Sequence, residues 1–431
     1  MAIYLKDATF IDWQTLEFKQ AHIKVEPGSG GAVGFVDSIP AWPDLNAGDD
    51  VLECRDKLVT KSFACGHHHV YSALARGMPA PPLAPQNFSE ILKFIWWHLD
   101  KLLDTDMIEA SALVTAAAAA KRGVTFVIDH HASPQAVANS LSTAAAAFDR
   151  VGVSHLLCLE LSDRDGEGIK EKGLAESEQY LRSGHQGLVG LHASFTVGDD
   201  LLKRAVSLAQ RYDSGIHVHV AEDPVDQEAC LKDYGQRVIE RFYDAGVLGF
   251  SKTILAHCLH IDDRERQLIR RSPAWVVQNT ESNWNNGVGA FDPRGLGQRI
   301  MLGTDGLHSD MLRSAQAAFL LGQSRGGVAP AQIYHRFRRV HEYLGRNRFA
   351  GDGANNLVIL DYDSPTEINR ENFLSHFVYG LESAQVDSVI ANGKLIVRSR
   401  ELLTVDQGEI LANSRKMARK LWQKMEKSNR I

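Results

Sequence analysis

From Leu58 onward the chain alternates apolar runs of strand length with longer segments of helical period, and this alternation constrains the fold more than any other feature. Eight such runs can be counted: LVTKSFACGHHH from 58, GVTFVIDHHAS from 123, VSHLLCLELSD from 153, GLVGLHASF from 187, GIHVHVAED from 215, KTILAHCLH from 252, AWVVQNTES from 274 and RIMLGTDGL from 299. Strands that alternate with helices pair in parallel, and eight is the number that closes a (β/α)8 barrel of about 250 residues. The intervening segments support helices, although the one between the seventh and eighth runs is short. After Asn87, Ile91, Leu92, Ile95, Leu99 and Leu102 fall on one face, and Glu90 completes a capping-box pattern. Alanine runs at 116–120 and 144–147 lie in helical segments and permit close packing on the sheet.

The two chain ends read differently. AIYLKDATFID, AHIKVEP, AVGFVDSIP and DVLECRDK precede the barrel as short β-like pieces, and NNLVILDYD, SHFVYGL and DSVIANGKLIV follow it, with a hairpin signal at Asn392-Gly393. Neither end has enough strands to be stable alone, so the two are expected to combine. The expected organisation is a barrel over 58–350 and a small composite β-sandwich from 1–57 and 351–431, closed by a helix carrying Ile410, Leu411, Met417, Leu421 and Met425.

Composition narrows the function. The 431 residues are 44% hydrophobic and 23% charged, with 47 Lys plus Arg against 53 Asp plus Glu, which excludes a disordered chain and gives no reason to expect a nucleic-acid partner. A small molecule suits this balance better. Five cysteines without CxxC spacing argue against a disulfide framework and for a reducing cytoplasm. No stretch has the length and apolarity of a membrane span or the pattern of a signal peptide.

The 18 histidines carry the chemistry. The first run ends in His67-His68-His69, and strand alternation turns His67 and His69 to one face and His68 to the other. Two imidazoles on one face make half a metal site. His219, His257 and Asp305 stand at the ends of the fifth, sixth and eighth runs, on the barrel face where active sites lie. Ligand-type residues at four separate strand ends are hard to ascribe to packing. The set suits a borderline divalent ion, zinc first and iron as the alternative.

In this order, His67-x-His69, His219-x-x-Glu222, His257 and Asp305 resemble the amidohydrolase superfamily, in particular its mononuclear branch of cytosine and guanine deaminases and triazine hydrolases. The stretches HHHVYSALARGM, IWWHLDK, VIDHHASP, LSDRDG, HVAED, SNWNN and LGTDGLHSDM are most similar to the SsnA-type aminohydrolases over nearly the whole chain. The resemblance implies a barrel with a composite β-sandwich, His67, His69, His219 and Asp305 as metal ligands, His257 as a contact to bound water or substrate, and Glu222 as proton shuttle. It also implies a homodimer. Binuclear branches carry a lysine at the fourth strand end, where this sequence has GLHASF with His192, so one ion is expected. His192, His130, Tyr71, Arg76 and His308 are candidate substrate contacts by position, whereas Trp96 and Trp97 read first as core residues. Lys61-Ser62 replaces the family's usual Pro-Gly, and Glu281 stands where an arginine is common, so substrate assignment by analogy is unsafe.

The expected chemistry is hydrolysis of a C–N bond in a small nitrogen heterocycle, with deamination leading. Asp305 would take a proton from water, His257 would steady the attacking oxygen, and Glu222 would relay a proton to the departing nitrogen. Ring-opening of a cyclic amide and dechlorination are alternatives for the same site. A catalytically silent barrel serving as scaffold is the alternative from another class, and metal analysis separates it from an enzyme.

Overall fold

The computed structural model describes residues 2–40, 45–46 and 48–428. Eight parallel strands, Phe63–His68, Val124–His131, Ser154–Leu161, Val189–Ala193, Ile216–Val220, Ile254–His257, Trp275–Gln278 and Ile300–Leu302, pair in sequence order. Helices connect them, and the link after the seventh strand holds only the short helix Thr280–Asn285. Closure comes at the C-terminal ends, where the amides of Thr304 and Asp305 donate to the His67 carbonyl at 3.0 and 3.1 Å. Gly303 permits this approach, since a Cβ there would lie 2.9 Å from that of His67. All but Ala118 and Ala146 of the alanine runs are buried in the helices Thr105–Lys121 and Ser140–Val151, which pack on each other and on the strands.

Strands from both chain ends form one nine-stranded sheet. Its centre is Leu58–Lys61, which pairs parallel with Thr9–Ile11 and antiparallel with Leu357–Leu360. The run beginning at Leu58 is therefore two strands, one in each sheet, with Ser62 between them. Thr60, Lys61 and Ser62 between the two apolar stretches include no glycine, proline, asparagine or aspartate to signal a turn, so the sequence reads them as one.

Lys61 explains part of the departure at this junction. Its side chain is 6% exposed, and Nζ lies 2.8 Å from Asp352 Oδ1 while donating to the Gly353 carbonyl at 2.6 Å. Asp352 Oδ2 in turn lies 2.8 Å from His341 Nδ1, on a helix beneath the barrel. Burial lowers the Lys61 pKa, and the charge of Asp352 opposes that shift. Breaking such a pair strands a charge in the interior, so Lys61→Met is expected to destabilise the fold by about 3–5 kcal/mol in chemical denaturation. Lys61→Met with Asp352→Asn should recover much of that loss, and failure to recover would show that the packing of the lysine stem matters more than its charge.

The final helix, Gln407–Ser428, lays Met417, Leu421 and Met425 against Tyr71, Leu74 and Leu99. Trp422 Nε1 donates to the Leu74 carbonyl at 2.9 Å. The C-terminal end thus buttresses the loop that follows the first barrel strand. No helix among the described residues is long and apolar enough to cross a membrane.

Candidate active site

The C-terminal ends of the strands bring six predicted side chains together. His69 Nε2 lies 3.1 Å from His219 Nε2 and 3.1 Å from Asp305 Oδ1, and His67 Nε2 lies 3.5 Å from the same oxygen. His257 Nε2 lies 3.8 Å from Asp305 Oδ2 and 3.5 Å from Glu222 Oε2. Ala221, His257 and Asp305 have φ of 43°, 71° and 50°. Left-handed backbone at three non-glycine strand ends is strain of order 1–3 kcal/mol per residue, and it accompanies the sharp turn of each chain segment around the cluster.

The outer nitrogens fix which atoms face inward. His69 Nδ1 and His219 Nδ1 donate to the carbonyls of His130 and His192 at 2.6 and 2.7 Å, and His257 Nδ1 donates to Asn283 Oδ1 at 2.7 Å. A carbonyl oxygen cannot donate, so each Nδ1 carries a proton and each neutral ring turns a lone pair inward through Nε2. Two such lone pairs 3.1 Å apart repel unless a proton or a cation lies between them. His67 Nε2 and His257 Nε2 have no hydrogen-bond partner although they are buried. Three imidazoles with anchored outer nitrogens and one carboxylate are a donor set that fits a divalent ion.

Burial holds His67 down at about 4 and His219 well below the ordinary range, keeping both neutral, the state in which an imidazole can hold a metal. Burial would lower His69 too, but its bond to Asp305 and that carboxylate's charge outweigh it and raise His69 to about 9. The metal-free cluster therefore holds a proton on His69, and an incoming ion must displace it. Zinc affinity should climb with pH below about 9 and flatten above it. Calorimetric titration of chelator-stripped protein in buffers of different ionisation enthalpy measures the proton released, and an affinity independent of pH between about 6 and 8 would contradict a protonated His69.

Glu222 is 11% exposed. Burial pushes its carboxyl up to about 7; His257 opposes this and the Asp305 charge adds to it. Asn286 Nδ2 donates to Glu222 Oε1 at 3.4 Å. The neighbouring acids have other work. Asp223 caps the helix Pro224–Tyr234 through the Val225 amide, and Asp226 accepts from the amides of Ala221 and Phe195. Glu222 alone of the three is left to face the cluster.

Above the cluster opens a pocket walled by Phe88, Leu92, Trp96, Trp97 and Phe195, with Tyr71, His192 and Glu160 on its polar side. Trp96 and Trp97 line this pocket rather than the core. They sit at the end of a π turn, Leu92–Trp96, within the helical segment that Asn87 caps by accepting from the Glu90 amide. Tyr71 meets His69 edge-on with centroids 5.3 Å apart. His130 lies behind the ligand rings, its Nε2 donating to the Leu191 carbonyl at 3.1 Å, and does not line the pocket.

Arg76 and His308 do not line it either. Both border a second cavity of about 310 Å3 between the first strand's loop, the Gly306–Ser309 segment and the final helix. His68 opens onto this cavity too, its Nδ1 2.9 Å from Thr304 Oγ1 and its ring turned away from the cluster. His308 Nδ1 accepts from the Asp310 amide, so its Nε2 donates to Glu281 Oε2 at 2.7 Å. Arg313 and Ser314 also donate to Glu281, at 2.8 and 3.0 Å. Glu281, where the family commonly has an arginine, thus pairs with His308 and joins the segment after the seventh strand to the loop after the eighth.

Four residues with a part in this arrangement escaped the sequence reading. His217, two residues before His219 and so on the same strand face, places Nε2 2.9 Å from His67 Nδ1. The spacing HVH was the available signal. Asn283 and Asn286 lie in the SNWNN stretch, where nothing but the resemblance drew attention, and Glu160 is the last residue but one of the third strand.

A closed parallel barrel with imidazoles and carboxylates converging at its C-terminal face defines a hydrolase of the metal-dependent barrel class. Residues 58–335 match the amidohydrolase family, and the chain belongs to that family as a hydrolase acting on C–N bonds. A 5'-deoxyadenosine deaminase of Methanopyrus kandleri is 28% identical over 91% of this chain and 93% of its own length. A 5-methylthioadenosine/S-adenosylhomocysteine deaminase of Desulforudis audaxviator is 26% identical over the same shares of the two chains. Among solved structures, an adenosine deaminase from Xanthomonas campestris with bound zinc superimposes with a TM-score of 0.81 at 18% identity, covering 97% of this chain and 98% of its own.

Proposed function

We propose that the protein is an aminohydrolase that replaces the amino group of an aminated nitrogen heterocycle with oxygen, releasing ammonia, and that adenosine-type purines are the first class to test. The observation that carries this reading is the convergence of His67, His69, His219 and Asp305 beside a buried Glu222 whose carboxyl is pushed up to about 7. The printed activities of the two sequence relatives support the choice of purines.

Those four side chains would hold one divalent ion, zinc first and iron second. When bound, such an ion supplies Lewis-acid activation of water near neutral pH. Asp305 takes the proton of the attacking water through Oδ2, the oxygen turned toward His257. His257, fixed by Asn283, presents Nε2 to the same water. Glu222 carries a proton to the departing nitrogen, and its near-neutral pKa lets it both accept and give that proton. The aromatic walls stack the flat ring and exclude bulk water. A third group of donor atoms, from His130, Glu160 and His219, does not add a second ion, because it draws on the His219 already committed to the first. The family resemblance suggests a homodimer for this activity, and the scattered cysteines suggest a cytoplasmic setting.

The test is a panel of aminated purines, pterins, pyrimidines and triazines assayed for ammonia with the zinc-loaded protein. Turnover with about one equivalent of metal per chain supports the reading. Absence of bound transition metal after metal-replete expression would favour a silent scaffold, and two ions both needed for turnover would overturn the single-ion assignment.

A further inference from the structure

Hydrogen-bond accounting on the pocket wall leaves one side chain unserved. Glu160, near the end of the third strand, lines the pocket with its side chain 4% exposed, yet no hydrogen bond reaches either carboxylate oxygen among the described residues. Arg164 Nη2, which donates to Asp100, pairs its charge with Oε1 at 3.4 Å, and its Nε lies 3.1 Å from Asp165, so Oε2 is the oxygen left without a cationic donor. On the other side, His130 Nδ1 lies 3.6 Å from Oε2. His130 Nε2 holds its proton on the Leu191 carbonyl, so Nδ1 is a lone pair with no partner. An acceptor there faces an acceptor. An ionised carboxylate offers about four acceptor positions, and on this wall most of them are left to a molecule that enters the pocket.

His192 is a second acceptor on the same wall. Its Nδ1 lies 2.6 Å from Thr196 Oγ1, and the Thr196 hydroxyl donates to the Ala193 carbonyl at 3.2 Å. The hydroxyl proton is used, so Nδ1 carries the ring proton and Nε2 is a lone pair. Glu160 pairs in register with Gly190, and His192 lies two residues further along that strand, which turns both side chains to one face. A carboxylate oxygen of Glu160 lies within 4.8 Å of a ring nitrogen of His219. One small molecule can therefore touch the acceptor wall and the reacting centre together.

We infer that Glu160 and His192 form a paired-acceptor wall that selects a substrate presenting two hydrogen-bond donors away from the scissile C–N bond. This deepens the aminohydrolase reading and rests on it. The donors can be ring N–H groups, as in guanine, or the vicinal hydroxyls of a nucleoside sugar, as in adenosine. A bare adenine edge offers N1, N3 and N7, all acceptors, and is refused. Sites built around hydrogen bonds reject analogues that lack the donor by about 10⁴–10⁵-fold, far more than sites built on apolar shape alone.

The experiment compares guanine, adenosine, 2',3'-dideoxyadenosine and 9-methyladenine, by calorimetric binding and by ammonia release, on zinc-loaded wild type, Glu160→Gln and Glu160→Asp. At least one donor-bearing compound is expected to bind about 100-fold or more tightly than both donor-free compounds. Guanine as that compound assigns the donors to the ring; adenosine preferred over its dideoxy form assigns them to the sugar. Glu160→Gln should erase most of the preference through KM with kcat moving less than about threefold, and Glu160→Asp should retain part of it. Equal binding of donor-bearing and donor-free compounds, binding of none, or an equal loss for all four in Glu160→Gln overturns the inference. Selective binding without ammonia from any compound would leave the acceptor wall standing and count against the aminohydrolase reading alone.

Discussion

Glu222→Gln is expected to lower kcat by on the order of 10²- to 10⁴-fold while the protein keeps its metal, the usual worth of a positioned acid–base group. The amide matches the carboxylate in shape and can still accept from Asn286, so the pocket should hold its form. It cannot carry a proton, and the proton is the point. Nothing in the cluster replaces Glu222 in reach of a departing group, since Asp223 and Asp226 are tied to backbone amides. Asp305→Asn should behave differently, losing ion affinity and turnover together, because Asp305 lies against His67 and His69. Metal content measured beside kcat separates the two variants. Near-normal kcat in Glu222→Gln would remove this residue from the mechanism and leave His257 and Asp305 to move every proton.

His67→Ala and His69→Ala are each expected to bring bound metal from about one equivalent to near none and to abolish turnover, whereas His68→Ala keeps both. The three residues are adjacent in sequence and chemically identical, so only geometry distinguishes them. His67 and His69 turn Nε2 toward Asp305; His68 turns its ring to Thr304 and the second cavity. Losing a hydrogen-bonded supporter such as His217 behind His67 should cost less, about 10–100-fold in metal affinity. Equal metal loss in all three alanine variants would sink the assignment of faces.

The barrel was legible because two periodicities alternate along the chain, and because ligand-type residues at strand ends need no knowledge of loops to be placed on one face. His67, His69, His219, His257, Asp305 and Glu222 come together for that reason. Loops are another matter. Arg76 and His308 lie close in sequence to His69 and Asp305, yet a loop can carry a side chain past the rim, and here both stand over the neighbouring cavity. Trp96 and Trp97 looked like core because apolar spacing cannot reveal a π turn, which shifts the helix register by one residue at the pocket. Glu160 is not legible in the sequence, because a lone acid near a strand end resembles a solvated loop carboxylate until its surroundings in the fold are known.

The shortest barrel strand, Ile300–Leu302, is also the one that must close the ring, and it does so through two amides on the His67 carbonyl. An ion held by His67 and His69 on one side and Asp305 on the other would act as a clasp over that junction, tying the first and last staves of the barrel. Closure between distant parts of a chain is the entropically costly kind, so a clasp has most leverage there. Demetallation then becomes a mechanical event as well as a chemical one. The copies that lose their ion would be the ones whose ring springs open first, and proteases, which sense loosened backbone rather than idle active sites, would clear them ahead of the loaded enzyme.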